Sequence, residues 1–309
     1  MTALAAVATY LPDRRVPIEE LADGLDLTPM QVRLFRRFHM LSDVCRDPDA
    51  TPLDLLLAAV SNLDALRGQE HRVRYVLYAR TFPVVVPYPL NPLHALCRLL
   101  GLDQAVAFTV THHACATGLL AIDVAGRLLA SDPDPDAYAL VLAGEKAFTR
   151  DAQLVPETSI FGEGASACLI QHSGPRDRLL SYAANQRGEF DDELSDDTAK
   201  FQEEYHSSLA DAILAAVDRA GLDLADLALI LPHNVNLVAW QRLCRRIGYP
   251  VARVLLDNVP LTAHVFCADA FVNYTTAHAR GLLHPGDRYL VAAAGAGRGA
   301  TFSAMVFEH

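Results

Sequence analysis

Val110-Thr-His-His-Ala-Cys115-Ala-Thr-Gly118 runs directly into Leu119-Leu-Ala-Ile-Asp-Val-Ala-Gly-Arg-Leu-Leu129. The apolar run Ala105–Val110 just before it predicts a buried strand, and the segment after Gly118 carries helical periodicity. Cys115 is thereby expected where a strand turns into a helix. A thiol at a helix N-terminus feels the positive end of the backbone dipole, which favours thiolate over thiol. The small neighbours Ala114, Ala116, Thr117 and Gly118 leave room for a thioester or another chain segment. Most cysteines are small buried hydrophobes instead, and nothing in this stretch alone separates the two readings.

A chain of 309 residues is long enough for a sizeable core or two domains. With 51% hydrophobic and 20% charged residues it has an ordinary globular composition. The formal charge of −11 argues against a nucleic-acid partner, because no basic patch offsets it. The six cysteines, Cys45, Cys97, Cys115, Cys168, Cys244 and Cys267, are scattered without a CxxC pair. They imply neither a zinc site nor a disulfide framework, and they fit a reduced, cytoplasmic protein. Met1–Ala8 lacks a basic n-region and is expected as a first strand, with no signal peptide. No apolar run is expected to cross a membrane.

Upstream of Cys115, Pro17–Leu25 and Thr28–Phe38 predict short helices. The second is capped by Thr28-Pro29 and carries Arg33, Arg36 and Arg37. An apolar helix is expected over Leu53–Leu66, a strand over Val73–Tyr78 and a helix over Leu93–Leu100, with the proline-rich Phe82–Pro92 irregular. Downstream, Tyr138–Gly144 reads as a buried strand, and Phe161–Ile170 as a Gly-rich turn entering another. The acidic Glu189–Asp197 is expected on the surface. A helix over Ser207–Ala220 and a strand over Leu227–Leu231 follow, and Pro232-His-Asn-Val-Asn236 opens a helix over Leu237–Ile247.

The second half repeats the first. Leu96-Cys-Arg-Leu-Leu-Gly101 matches Leu243-Cys-Arg-Arg-Ile-Gly248 at a shift of 147 positions, which carries the strand Val106–Val110 onto Arg253–Asp257. Tyr138-Ala-Leu-Val-Leu-Ala-Gly144 matches Tyr289-Leu-Val-Ala-Ala-Ala-Gly295 at a shift of 151. The Gly-rich turn at Phe161–Ile170 echoes the run from Gly297 to Val306. Two copies of one α/β unit imply two similar sheets packed through helices about a pseudo-two-fold axis, with halves 1–171 and 172–309. An intermediate shift of 149 lays Cys115 on His264, in Leu261-Thr-Ala-His-Val-Phe-Cys267. His233 adds a third polar group at a strand end, where α/β sheets place ligands. The turn Gly295-Ala-Gly297 presents bare backbone to an oxyanion. Taken singly, His264 fits a satisfied core histidine better than a catalytic one, and His233 fits a cap cluster with Asn234 and Asn236 equally well. His112 and His113 are expected to line the site. No metal or redox cofactor is implied.

The segments Ala114-Cys-Ala-Thr-Gly118, Phe161-Gly-Glu-Gly-Ala165, Pro232-His-Asn-Val-Asn236 and Gly295-Ala-Gly297 together resemble the thiolase superfamily. Within it they look like the β-ketoacyl-acyl-carrier-protein synthase III branch, along nearly the whole chain. That resemblance implies a duplicated, thiolase-like αβαβα fold with two pseudo-symmetric halves. It implies an acyltransferase with Cys115 acylated, His233 as first partner, Asn236 in support, and the N–H groups of Cys115 and Gly297 as oxyanion hole. The family usually has Asn where this chain has His264, whereas the elongating ketosynthases of the superfamily use a Cys-His-His set. Decarboxylative condensation in polyketide or fatty-acid-like metabolism is therefore expected ahead of O- or N-acyl transfer, and a non-catalytic ketosynthase partner subunit stands behind both. The family's adenine-stacking Trp and Arg are replaced by Val32 and Val155, and the only tryptophan is Trp240. An acyl-carrier-protein phosphopantetheine thioester is thus expected as donor ahead of coenzyme A, with Arg33, Arg36 and Arg37 meeting the carrier. A homodimer is expected, paired through the segments around Tyr75–Tyr88 and Ala105–Val110.

Overall fold

A strand without a polar side must be covered on both faces, and Ala139–Gly144 is buried throughout. The computed structural model describes residues 2–84, 86–150, 152–188, 197–295 and 300–309, with 197–203 as backbone only. The first half comprises β1 (Ala3–Tyr10), α1 (Pro52–Ser61), β2 (Val73–Ala79), α2 (Pro92–Leu99), β3 (Val106–Val110), α3 (Thr117–Ser131), β4 (Tyr138–Glu145) and β5 (Gly164–Gln171). The second comprises β6 (Arg178–Arg187), α4 (Asp197–Arg219), β7 (Leu227–Pro232), α5 (Leu237–Ile247), α6 (Asp269–Ala279), β8 (Arg288–Gly295) and β9 (Ala300–Glu308). The strand order is β7-β8-β9-β6-β1-β5-β4-β2-β3. Within it β3, β2 and β4 are mutually parallel, as are β7 and β8, whereas β5 and β9 run antiparallel to their neighbours.

Side-chain alternation along the strands builds the layers. Ala139, Val141 and Ala143 of β4 and Tyr289, Val291 and Ala293 of β8 point into one central core with α3 and α6. Leu140 and Leu142 face the opposite way, toward α1 and α2. Leu290, Ala292 and Ala294 face α4 and α5. The result is helix, sheet, helix, sheet, helix, the layered αβαβα arrangement of the thiolase-like fold.

Several details differ from expectation. The two half-sheets form one nine-stranded order, because β1 and β6 meet at the single pair Ala3↔Arg178. Backbone bonds from Leu4 N–H to Asp177 O and from Leu179 N–H to Thr2 O fasten that junction. Arg253–Asp257 is not a strand. Pro250 leads into a tight turn at Val251–Arg253, and only Val254 bridges to Ile230. The strand Arg178–Arg187 escaped the sequence reading. Ala114–Ser131 does contain an apolar helix long enough to cross a membrane, by length and composition alone. Here it is the central core helix, with Ala121, Ile122 and Ala125 fully buried.

Candidate active site

Cys115 is the middle residue of a 3₁₀ turn, Ala114–Ala116, that feeds α3. Ala114 reaches the turn with φ of 43°. The second half repeats the device: Phe266, with φ of 50°, opens the turn Phe266–Ala268 that feeds α6. The structural counterpart of Cys115 is therefore Cys267, at a shift of 152, and the expected pairing of Cys115 with His264 is corrected by three residues. The two turns touch. A Cβ at Gly118 would stand 2.9 Å from Cys267 O, so only glycine lets the helix starts approach this closely. A Cβ at Gly295 would collide with His113 O, which brings the end of β8 onto the Cys115 turn.

Around the thiols, Thr81 Oγ1 lies 3.6 Å from Cys115 Sγ, to which it donates, and 3.4 Å from Cys267 Sγ. The Cys267 thiol donates to Ala114 O at 3.3 Å. Burial pushes the Cys115 thiol well above its ordinary range, and Cys267 adds to this, with the Thr81 hydroxyl opposing. The helix-dipole expectation of a resting thiolate is thus overruled by desolvation. Beneath Thr81 the buried Glu145 accepts the Thr81 and Phe82 N–H groups at 2.6 and 2.9 Å. Burial raises its carboxyl to about 7, against those two donors.

His233 follows β7 directly, and its N–H continues the ladder to Ala292 O at 3.0 Å. Its Nδ1 lies 3.3 Å from the same carbonyl. A carbonyl only accepts, so Nδ1 carries the proton and Nε2 is an acceptor. The Tyr205 hydroxyl of α4 donates to that Nε2 at 2.6 Å. Burial, then the neighbouring His264, lowers His233 to about 3, so it rests neutral. Trp240 is buried behind it and donates Nε1–H to His233 O at 3.0 Å.

His264 enters the site on backbone bonds, donating to Ile160 O at 3.1 Å and accepting from Gly162 N–H at 2.9 Å. Phe161 stacks on its ring at 4.7 Å. Its Nδ1 is hydrogen-bonded to Asp269 Oδ2. Asp269, buried at the start of α6, also accepts Val265 N–H and Asn234 N–H, each at 2.6 Å. One carboxylate thereby ties together the two loops that carry the histidines.

Cys115, His233, His264, Tyr205, Thr81 and Phe161 line one mostly apolar cavity of about 280 Å³. Val155 also lines it, while Val32 lies away in the cluster around Ile18 and Phe35. A second cavity of about 130 Å³ shares Thr158 and Tyr205 with the first and is lined further by His39, Asn236 and Arg242. Asn236 caps α5 by accepting Ala239 N–H at 2.7 Å and donates to Thr158 O at 3.0 Å, so it holds the wall between the cavities. His112 is exposed and His113 half-buried. Neither lines the cavity, contrary to expectation, because the turn at Ala114 reverses the chain before Cys115. Gly297 and most of the acidic Glu189–Asp197 lie outside the described residues. Among those residues no cluster of metal-ligating side chains occurs, and all six cysteines are buried and unpaired.

Tyr205, Asp269, Thr81, Glu145 and Cys267 were not singled out as site residues from the sequence. Only Asp269 had a local signal, an acid at a helix start five residues after His264.

A family profile described as the C terminal of 3-oxoacyl-[acyl-carrier-protein (ACP)] synthase III matches residues 217–309. The β-ketoacyl-[acyl-carrier-protein] synthase III of Ruegeria pomeroyi is 26% identical over 312 residues, covering 94% of each chain. Among solved structures, ChlB3, titled an acyltransferase, superposes with a TM-score of 0.85 at 20% identity over 99% of this chain and 97% of that one. The 3-oxoacyl-[acyl-carrier-protein] synthase III of Aquifex aeolicus gives 0.84 at 19% identity over the whole of both chains. A thiolase-like fold end to end and this run of sequence likeness make the chain similar to the β-ketoacyl-acyl-carrier-protein synthase III proteins, most directly over residues 217–309.

Proposed function

We propose that the chain is an acyltransferase that takes an acyl group from a thioester onto Cys115 and passes it to an acceptor, in polyketide- or fatty-acid-like specialised metabolism. The convergence of Cys115, His233 and His264 on one apolar cavity carries this reading. Residues 1–171 supply the nucleophile, and residues 172–309 the histidines. The thiol rests protonated, so the thioester exchange needs a base, and the neutral His233 is the partner proposed for it. The N–H groups of Cys115 and Gly297 are proposed to hold the oxyanion.

The donor proposed is a thioester on the phosphopantetheine arm of an acyl carrier protein, entering through the outer cavity. Support comes from the segment Phe35–His39, whose buried His39 lines that cavity. The same surface exposes Arg33, Arg36 and Arg37 among Met30, Phe38 and Met40, a mixture that suits an acidic protein helix with an apolar stripe. Arg36 already pairs with Glu19 at 3.0 Å, which leaves Arg33 and Arg37 as the principal contacts proposed. Trp240, being buried, is not placed to stack an adenine. A homodimer in the cytoplasm is proposed as the working form. Of the two segments expected to pair, Tyr75 lies on the inner strand β2, whereas β3 is the sheet edge with Val106 59% exposed. Intact-mass measurement of acyl loading from matched donors tests the donor assignment. Loading should be faster from the acyl carrier protein than from coenzyme A, and the reverse order refutes it.

A further inference from the structure

Asp269 gives His264 an orientation that an amide at that position would not have. Its carboxylate is fixed by the Val265 and Asn234 N–H groups, at 2.6 Å each, and its remaining hydrogen bond goes to His264 Nδ1. A carboxylate only accepts, so Nδ1 carries the proton. In the neutral ring Nε2 is then the acceptor nitrogen, and that buried ring lines the Cys115 cavity. Imidazole and buried carboxylate repeat the pairing that orients the base toward a hydroxyl nucleophile on unrelated folds. An imidazole held this way accepts a proton, whereas stabilising an enolate asks for a donor at the same atom.

Resting on the acyl-Cys115 reading above, we infer that the acceptor is a hydroxyl or amine compound, with His264 as general base and Asp269 as the positioning residue that fixes its tautomer. His264 Nε2 takes the proton from the acceptor as the acceptor's oxygen or nitrogen bonds to the acyl carbon. The carbon–sulfur bond breaks, the sulfur keeps the electron pair, and Nε2–H returns the proton to it. The products are an ester or amide and the free Cys115 thiol, with no carbon dioxide released.

The test separates the two half-reactions. Wild type, Asp269→Asn and Asp269→Glu are loaded with an acyl-N-acetylcysteamine thioester, and loading on Cys115 is read by mass. A wild type that never loads sinks the acyl-enzyme reading itself. Loaded proteins are then chased with 1-butanol, butylamine or malonyl-N-acetylcysteamine, and loss of the acyl group is followed from about pH 6 to 9. Butanol or butylamine should discharge the wild type, faster as pH rises. Asp269→Asn should slow that discharge on the order of 10²-fold and change its pH profile, and Asp269→Glu should restore part of the rate. The inference is overturned if malonyl-N-acetylcysteamine alone discharges the wild type with release of carbon dioxide. Loss that no probe accelerates, or an Asp269→Asn rate and profile equal to wild type, overturns it too. Should Asp269→Asn show no cooperative melting transition, the wild-type chase and Asp269→Glu still decide.

Discussion

At the scale of single residues the site is governed by desolvation and by who donates to whom. Burial holds Cys115 as a thiol and His233 as a neutral ring, so in the proposed mechanism a proton must move before sulfur attacks. The nitrogen suited to receive it, His233 Nε2, is occupied by the Tyr205 hydroxyl at 2.6 Å. Tyr205→Phe should therefore do two things at once. It orphans a buried acceptor, which costs about 1–2 kcal/mol in urea unfolding, and it frees Nε2, which raises the rate of Cys115 acylation severalfold. Unchanged stability together with a slower acylation would show that the hydroxyl works with the ring rather than in competition with it. That Cys115, His233 and His264 come together at one cavity could be read from the sequence, because each sits at an element boundary beside small or capping residues. Tyr205 could not be, since it stands before the expected helix start at Ser207 and carries no mark of the nitrogen it will meet.

Among the elements, the duplication was the most legible feature and its register the least. Buried strands such as Tyr138–Gly144 and Tyr289–Gly295 keep their length and apolar character, so their equivalence survives in sequence. Turns do not. The copies of the 3₁₀ turn, Ala114–Ala116 and Phe266–Ala268, share backbone shape and one cysteine, and an averaged shift misses them by three positions. The strand Arg178–Arg187 was illegible for a related reason. It is half-buried along its length, and its polar residues follow neither a strict alternation nor a helical period. Helix α4 begins upstream of the expected start, in a stretch whose acidic composition resembles a surface loop. Asp269 shows how an element can serve chemistry: the first residue of α6 faces inward, and the carboxylate that would stabilise a helix start is spent on His264.

The whole molecule places Cys115 and its two neighbouring histidines between two half-sheets, and this shapes its response to pH. His233 lies near 3 when folded against an ordinary 6.5, so the unfolded chain binds the extra proton. Its contribution is complete above pH 6.5 and is lost as pH falls toward 3. Glu145 runs the other way: raised from 4.5 to about 7, it loses stability as pH rises through that interval. Comparing a His233→Asn variant with wild type cancels Glu145 and isolates the histidine. Relative to wild type, the variant should gain stability steadily as pH falls from 6.5 toward 3, read from urea midpoints. A stability gap that stays constant with pH would mean that His233 takes up its proton in the fold as readily as in the unfolded chain. The most direct measurement of all is peptide-level mass spectrometry after incubation with a reactive acyl thioester. The acyl increment should map to Cys115 and be absent from Cys115→Ala. An increment that persists in that variant, or that maps to Cys267 across the shared Thr81 hydroxyl, would contradict the assignment of the nucleophile.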